Sequence, residues 1–265
     1  MQISAIINTR NAEMHLQEVI DHLKEFDEIL VCDMDSSDRT LQIARENGCR
    51  IIHHPPVGYV EPARNYAMKE ARFDWVFFVD ADELVTPPLA DYLKLFLANP
   101  GNVSAVGIPR KNMFLDSWSK STYPDYQIRV LNRKKCDWPV EIHSNPVVRG
   151  KTLKIPRERL DMALVHKSAD LKDMLERMNR YTDKEVDRRD NGKVPGLFKM
   201  IFAPWWRFVK MYVLKGGFRL GVPGYIEAKN KSFYKLYTLA KLYEANRKNI
   251  LKRNDIRQRQ GSNVQ

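Results

Sequence analysis

A chain of 265 residues, 43% apolar and 29% charged, is long enough for one large α/β domain, alone or with an appendage, and is neither disordered nor collagen-like. Its 44 Lys and Arg against 33 Asp and Glu leave +11, and the excess is confined to the tail: residues 1–195 carry −1 and residues 196–265 carry +12. Three scattered cysteines, Cys32, Cys49 and Cys136, exclude a disulfide scaffold or a Cys-rich zinc site and fit a reducing compartment.

In chain order, Ile3–Ile7 reads as a short buried strand. Leu16, Val19, Ile20 and Leu23 at helical spacing predict a helix over Ala12–Phe26, followed by a strand over Ile29–Cys32 that ends in Asp33. Ser36 and Ser37 are candidate caps for a helix running through Leu41, Ile43 and Ala44 to Gly48, and Arg50–His53 is a third strand. Such an alternation predicts a mostly parallel sheet covered by helices. Glu61–Arg72 reads as a helix with Pro62 in its first turn, and the unbroken apolar run Trp75–Val79 as a central strand buried on both faces. Thr86 is the expected cap of a helix with Pro87 and Pro88 in its first turn, reaching about Ala98. Val103–Ile108, Gln127–Leu131 and Met162–Val165 are weaker strand candidates. From Leu171 the pattern turns helical, with breaks at 192–196 and 215–224.

The chemistry-bearing residues cluster at strand ends. Asp80-Ala81-Asp82-Glu83 follows the Trp75–Val79 run, and in open α/β sheets ligands sit beyond the carboxyl ends of strands. Paired carboxylates there repel unless a cation joins them, and hard oxygen ligands suit Mg2+ or Mn2+ bridging the phosphates of a nucleotide. Asp33 closes a second strand that a parallel sheet brings to the same edge, and Arg64 and Asn65 lie in a helix between the two acidic loops.

Together these residues resemble a known family. The Ile3–Ile7 strand with Asn8, Asn11 and Glu13 after it, the run from Asp33 through Ser36-Ser37-Asp38-Arg39-Thr40, Ala63-Arg64-Asn65 and the Asp80–Glu83 box look like family 2 glycosyltransferases of the GT-A fold. The Pro124–Arg129 segment and the Gly216-Gly217, Gly221, Pro223-Gly224 break resemble the bacterial lipopolysaccharide-core β-glucosyltransferase branch, over about residues 2–248. The resemblance implies a GT-A catalytic domain over residues 1–168 and a helical extension over 169–265. It implies a UDP-sugar donor, with Ile7, Asn8 and Thr9 under uracil and ribose, Asp33 on the nucleoside, Arg64 at the diphosphate and Asp80 near the ribose. Asp82 would hold a divalent metal, with His143 as a further ligand. Met34 stands where many members carry a second acid. The reaction implied is inverting transfer of a hexose, glucose from UDP-glucose, to a lipopolysaccharide-core or other lipid-linked glycan. An inverting transfer needs a general base for the acceptor hydroxyl; Asp125 and Glu141 are the two candidates, and His166 resembles a family position too.

Residues 196–265 also hold 12 of the 27 aromatic side chains. Phe198, Phe202, Trp205, Trp206, Phe208 and Tyr212, interleaved with Lys199, Arg207, Lys210 and Lys215, suggest attachment to an anionic membrane surface. With no leader and no run of about 18 apolar residues, the expected location is cytoplasmic, peripheral on the inner face of the inner membrane. No RNP-like or helix-turn-helix pattern accompanies the basic tail, so nucleic acid is not expected as a partner. Two rivals stand against this reading. Asp33-Met34-Asp35-Ser36 resembles the nucleophile motif of haloacid-dehalogenase phosphatases, with Asp33 as nucleophile. A non-catalytic carbohydrate or membrane adaptor on a GT-A shell is the other.

Overall fold

The computed structural model describes residues 2–56, 60–139, 145–167, 171–189 and 194–261. Two compact units emerge, one of residues 1–113 and 122–168, the other of residues 114–121 and 169–265.

The first unit is built on a seven-stranded sheet. β1 (Ile3–Thr9) lies between β2 (Glu28–Asp33) and β4 (Trp75–Asp80), with β3 (Arg50–His53) on the β2 edge. Beyond β4 come the strand Gln127–Asn132, then β6 (Val103–Ile108), then Lys151–Lys154. Only Gln127–Asn132 runs antiparallel to its neighbours, so the sheet is mostly parallel, as the strand–helix alternation predicted.

Why the central runs read as continuously apolar is visible in the packing. Along β4, Trp75, Phe77 and Val79 enter one core with Leu16, Val19, Ile20 and Leu23 and with Leu89, Leu93 and Leu97. Val76 and Phe78 point the opposite way into a second core with Ala63, Ala67 and Met68 of α3 (Glu61–Glu70). Alternate side chains of a strand face opposite sides, and here both sides are covered.

Two helices differ from the sequence expectation, for one shared reason. The helix expected over Ala12–Phe26 is regular only at α1 (Leu16–Asp21), and α2 (Thr40–Glu46) begins four residues after Ser36. The backbone N–H groups of Asn11, Ala12 and Glu13 donate to Ser36 Oγ, Thr40 Oγ1 and Asp38 Oδ2 at 2.9, 2.8 and 3.1 Å. In return Asn11 Oδ1 accepts from the Ser37 N–H at 2.8 Å. The side chains expected to cap α2 are spent on tying the two loops together above the sheet edge. α4 (Pro87–Ala98) starts where expected, but Thr86 Oγ1 donates to the Asp161 carbonyl at 2.6 Å instead of capping it.

A small sheet flanks the main one. The strand Leu164–His166 pairs antiparallel with β5 (Glu83–Leu84) and parallel with β7 (Arg110–Phe114), which sets His166 opposite both Glu83 and Asn112. Met162, expected in that strand, instead closes a short 3-10 turn over Leu160–Met162.

The second unit is helical: α5 (Leu171–Arg189), α6 (Leu197–Val209) and α7 (Gly221–Gly261), with a wide π turn at Lys210–Leu214 and a 3-10 turn at Gly217–Leu220 between the last two. Tyr234 on α7 donates to Glu185 on α5 at 2.6 Å, and Lys241 donates to Asp183 at 2.6 Å. Ser119, 1% exposed, donates its hydroxyl to the Glu227 carboxylate, which ties the 114–121 segment to α7. Gly224 is required by close approach, since a Cβ there would lie 1.9 Å from the Gly217 carbonyl oxygen. Among the described residues no helix is long and apolar enough to cross a membrane.

Candidate active site

Parallel pairing aligns the carboxyl ends of three strands. Asn8 at the end of β1 is in register with Asp80 of β4, and Thr9 with Asp33 of β2. Both acidic loops therefore meet at one edge, flanking Asn8 and Thr9. Asp33, 1% exposed, receives the N–H groups of Asp35 and Ser36 on Oδ2, each at 3.1 Å. Its Oδ1, together with Asn8 Oδ1 and Thr9 Oγ1, is buried and has no partner among the described residues. Buried acceptors are rarely left so, and three at one strand edge are the mark of a surface made to receive donors. Ile7, the third residue expected here, has its side chain sealed in the hydrophobic core at 0% exposure, so only its backbone reaches the edge. His53, at the end of β3, has Nδ1 3.7 Å from Asp33 Oδ2.

From Asp80 an unbroken chain of polar contacts runs across the edge. Arg64 Nη2 donates to Asp80 Oδ1 at 3.2 Å, while its guanidinium lies 4.4 Å above the centre of the Trp138 indole. Asn65 fixes that indole's backbone: its Oδ1 accepts the Trp138 N–H at 2.9 Å and its amide donates to the Trp138 carbonyl. Arg129 also donates to Asp80 and, at 2.8 Å, to Glu83 Oε1. Glu83 in turn accepts from Arg110 Nη1 at 2.8 Å, and Arg110 Nη2 donates to Asp125 Oδ2 at 2.6 Å. Asn112 Nδ2 donates to the same Asp125 oxygen at 3.1 Å, and Asn112 Oδ1 lies 3.0 Å from His166 Nδ1. His166 Nε2 stands 3.3 Å from Asp82 Oδ2.

Charge balance follows from this ladder. Withdrawal from water pushes the Asp80 carboxyl up, but the Arg129 and then the Arg64 guanidinium outweigh it and hold Asp80 well below the usual carboxylate range. Burial lowers the Arg64 guanidinium, with Asp80 opposing. For Asp125, burial raises the carboxyl, and Arg110 with the bonds from Asn112 and Gln127 brings it below its ordinary value. Asp80 and Asp125 are therefore ionised at neutral pH.

Asn112 orients the imidazole. Asn112 turns its NH2 to the Asp125 carboxylate, which leaves Oδ1 for His166, so His166 Nδ1 is the donor of that contact. In the neutral ring Nε2 then carries a lone pair, and it faces a carboxylate oxygen. Two such groups at 3.3 Å need a proton or a cation between them. Among the described residues no cluster of three or more His, Cys, Asp or Glu side chains is arranged to hold a metal. Asp82 and His166 could supply two ligands to a divalent ion, which would need its remaining ligands from elsewhere.

The edge thus unites Asn8, Thr9, Asp33, Arg64, Asp80, Asp82 and Asp125. Glu141 and His143, the second base candidate and the expected metal partner, lie outside the described residues. Arg110 and Asn112 are ladder members the sequence reading did not name, and it quoted Glu83 and Arg129 only within motifs, without a role of their own. One signal was available: Arg129 sits inside an apolar strand, where a guanidinium needs a buried acid.

Comparison with known proteins identifies the family. The profile of glycosyl transferase family 2 matches residues 4–154. The lipopolysaccharide core biosynthesis glycosyltransferase LpsC of Rhizobium meliloti is 25% identical over 92% of this chain and 93% of its own. An uncharacterized glycosyltransferase of Rickettsia bellii is 26% identical over 92% of this chain and 86% of its own. Among solved structures, S. aureus TarS aligns with 86% of this chain and 48% of that chain, at 21% identity and a TM-score of 0.46. Glucosyl-3-phosphoglycerate synthase from Mycobacterium tuberculosis, crystallised with Mn2+ and UDP-glucose, aligns with 42% of this chain and 43% of that one, at 23% identity and a TM-score of 0.36. Each alignment thus covers less than half of the solved chain. The family match displaces the phosphatase reading, and Asp33 is a buried, backbone-bonded residue and not an exposed nucleophile. The chain is a glycosyltransferase of the GT-A fold and belongs to glycosyl transferase family 2.

Proposed function

We infer that this enzyme is a metal-dependent, inverting hexosyltransferase that moves glucose from UDP-glucose to a lipopolysaccharide-core or other lipid-linked glycan, at the cytoplasmic face of a membrane. The observation that carries the donor reading is the shared strand edge, where three unsatisfied buried acceptors lie beside Arg64, Asp80 and Asp82. Asp33 Oδ1 is suited to accept an imide N–H such as that of uracil, and Asn8 and Thr9 to meet ribose. Similarity to LpsC over nearly its whole length supports the acceptor class. In this reading residues 1–168 bind the donor and residues 169–265 serve the acceptor or membrane.

Asp82 and His166 would hold the divalent ion, with His143 as the further ligand expected from the sequence; when bound, the ion neutralises charge that develops on the leaving diphosphate. Arg64, pinned on Trp138, adds a fixed positive charge at the same place. Asp125 orients the acceptor hydroxyl and takes its proton as that oxygen bonds to the anomeric carbon and the carbon–diphosphate bond breaks. Its Oδ1 accepts only from Gln127, at 3.0 Å, among the hydrogen bonds described and keeps a lone pair for the proton. Glu141 is the other candidate for this step.

Calorimetry of UDP binding with and without Mn2+ tests the donor site. Metal-dependent binding that disappears in Asp82→Ala is expected; binding indifferent to both a chelator and that substitution overturns the reading. An α-linked product from an α-linked donor, seen by NMR, overturns inversion.

A further inference from the structure

α6 is turned inside out. At about 100° per residue its side chains divide into two faces. Pro204, followed beyond the helix by Met211, lies on the buried side, where Ser232 of α7 donates to the Pro204 carbonyl at 2.8 Å. The opposite face holds Leu197, Phe198, Ile201, Phe202, Trp205 and Trp206, which are 74, 72, 54, 46, 57 and 54% exposed. Polar side chains belong there in a water-soluble helix. The apolar surface continues past the helix through Val213, Leu214 and Phe218, all at least half exposed. An exposed patch of this extent marks a docking surface.

Charge identifies what covers it. Residues 191–226 contain six Lys and Arg and no Asp or Glu. Lys199 and Arg207 of α6 and Lys210 just beyond it are all exposed. A second copy of the chain would bring this unbroken positive segment against itself. A bilayer surface bearing acidic headgroups meets every feature at once: the alkyl and aromatic side chains enter the acyl boundary, indoles sit at headgroup level, and the basic groups face lipid phosphates. Thirteen residues of helix extend about 20 Å, short of the roughly 30 Å needed to span. On such a surface the helix would lie in the plane of the membrane.

We propose that the outward face of α6, from Leu197 to Trp206, inserts into the surface of a bilayer rich in anionic phospholipid, with Lys199, Arg207 and Lys210 on its headgroups. The proposal specifies the membrane contact in the functional reading above but rests on the second unit alone. Co-flotation of the full chain with phosphatidylcholine vesicles containing about 30% phosphatidylglycerol tests it. Strong, salt-sensitive binding and a blue shift of tryptophan emission are expected, with weak binding to phosphatidylcholine alone. Trp205→Ala/Trp206→Ala and Lys199→Glu/Lys210→Glu are each expected to weaken binding by at least about tenfold, with far-UV circular dichroism unchanged. Absence of binding by the parent chain, or binding by both variants as strong as the parent's, overturns the proposal. So does light scattering that shows a dimer dissolved by the tryptophan variant without any vesicle binding. Asp82→Ala is expected to float like the parent, so loss of sugar transfer and loss of membrane docking are read separately.

Discussion

His166 directs Nε2 at Asp82 Oδ2 across 3.3 Å, and the ring is held in that pose by Asn112 at its far nitrogen. Metal-binding imidazoles depend on such outer partners for tautomer and orientation. His166→Ala is expected to lower Mn2+ affinity in the presence of UDP. Asn112→Leu, which touches no metal, is expected to lower it by about 10–100-fold. Electron paramagnetic resonance of free Mn2+ measures both. An Asn112→Leu protein with unaltered affinity would show that the contact is merely structural.

Arg129 and Glu83 make the most deeply buried ion pair of the site, with side chains 3% and 0% exposed. A buried pair gains little over an apolar replacement, but removal of one member strands the other charge. Arg129→Met leaves Glu83 with Arg110 and leaves Asp80 with Arg64. Because each acid keeps one cation, the loss expected from urea unfolding is smaller than the roughly 3–5 kcal/mol of a fully stranded charge. Lys at 129 is expected to recover part of it, since one ammonium replaces a guanidinium that serves two acids at once.

Much of this arrangement was legible before any coordinates. Trp75–Val79 announced itself by an unbroken apolar run and Arg50–His53 by its central Ile pair, and sheet topology then forced Asp33 and Asp80 to one edge. Arg110–Phe114 carries Arg, Lys and Asn in its first three places, every residue half-buried, so it shows neither alternation nor an apolar run. Its partners determine that it is a strand. The same holds for the ladder: Asp125 was readable as an acid in a loop, but Arg110, 15 residues earlier, acquires meaning only when the chain returns beside it. The glycines of the 216–224 break were readable as punctuation, while the reason for the last of them is a contact.

That contact gives a test of the second unit. Gly217 and Gly224 approach so closely that an added Cβ at 224 would collide with backbone, which cannot swing away as a side chain does. Gly196 has nothing within 4 Å of the same position. Gly224→Ala is expected to destabilise by about 1–3 kcal/mol or more, and Gly196→Ala by well under that. Thermal unfolding of the two variants against the parent checks the contrast; equal effects would mean that the crossing relaxes freely.

The pH dependence of transfer follows from the groups around Asp125. It faces one cation, Arg110, and two neutral amides, Asn112 and Gln127; Glu83 faces it only through Arg110. Burial alone would raise its carboxyl, and Arg110 leads the contributions that bring it below the ordinary carboxylate value. A base so held stays ionised into mild acid, so the acid limb of kcat/KM in the parent lies at low pH. Asp125→Asn is expected to cut kcat by about 10²–10⁴ with UDP affinity intact. Arg110→Met removes the leading cation, so the carboxyl rises and the acid limb moves to higher pH, while activity at the alkaline end falls less. If Arg110 served stability alone, its loss would lower the amount of folded enzyme and the whole profile together, and the limb would stay where it was. A pH series of kcat/KM on both variants, normalised to folded protein, separates the two outcomes.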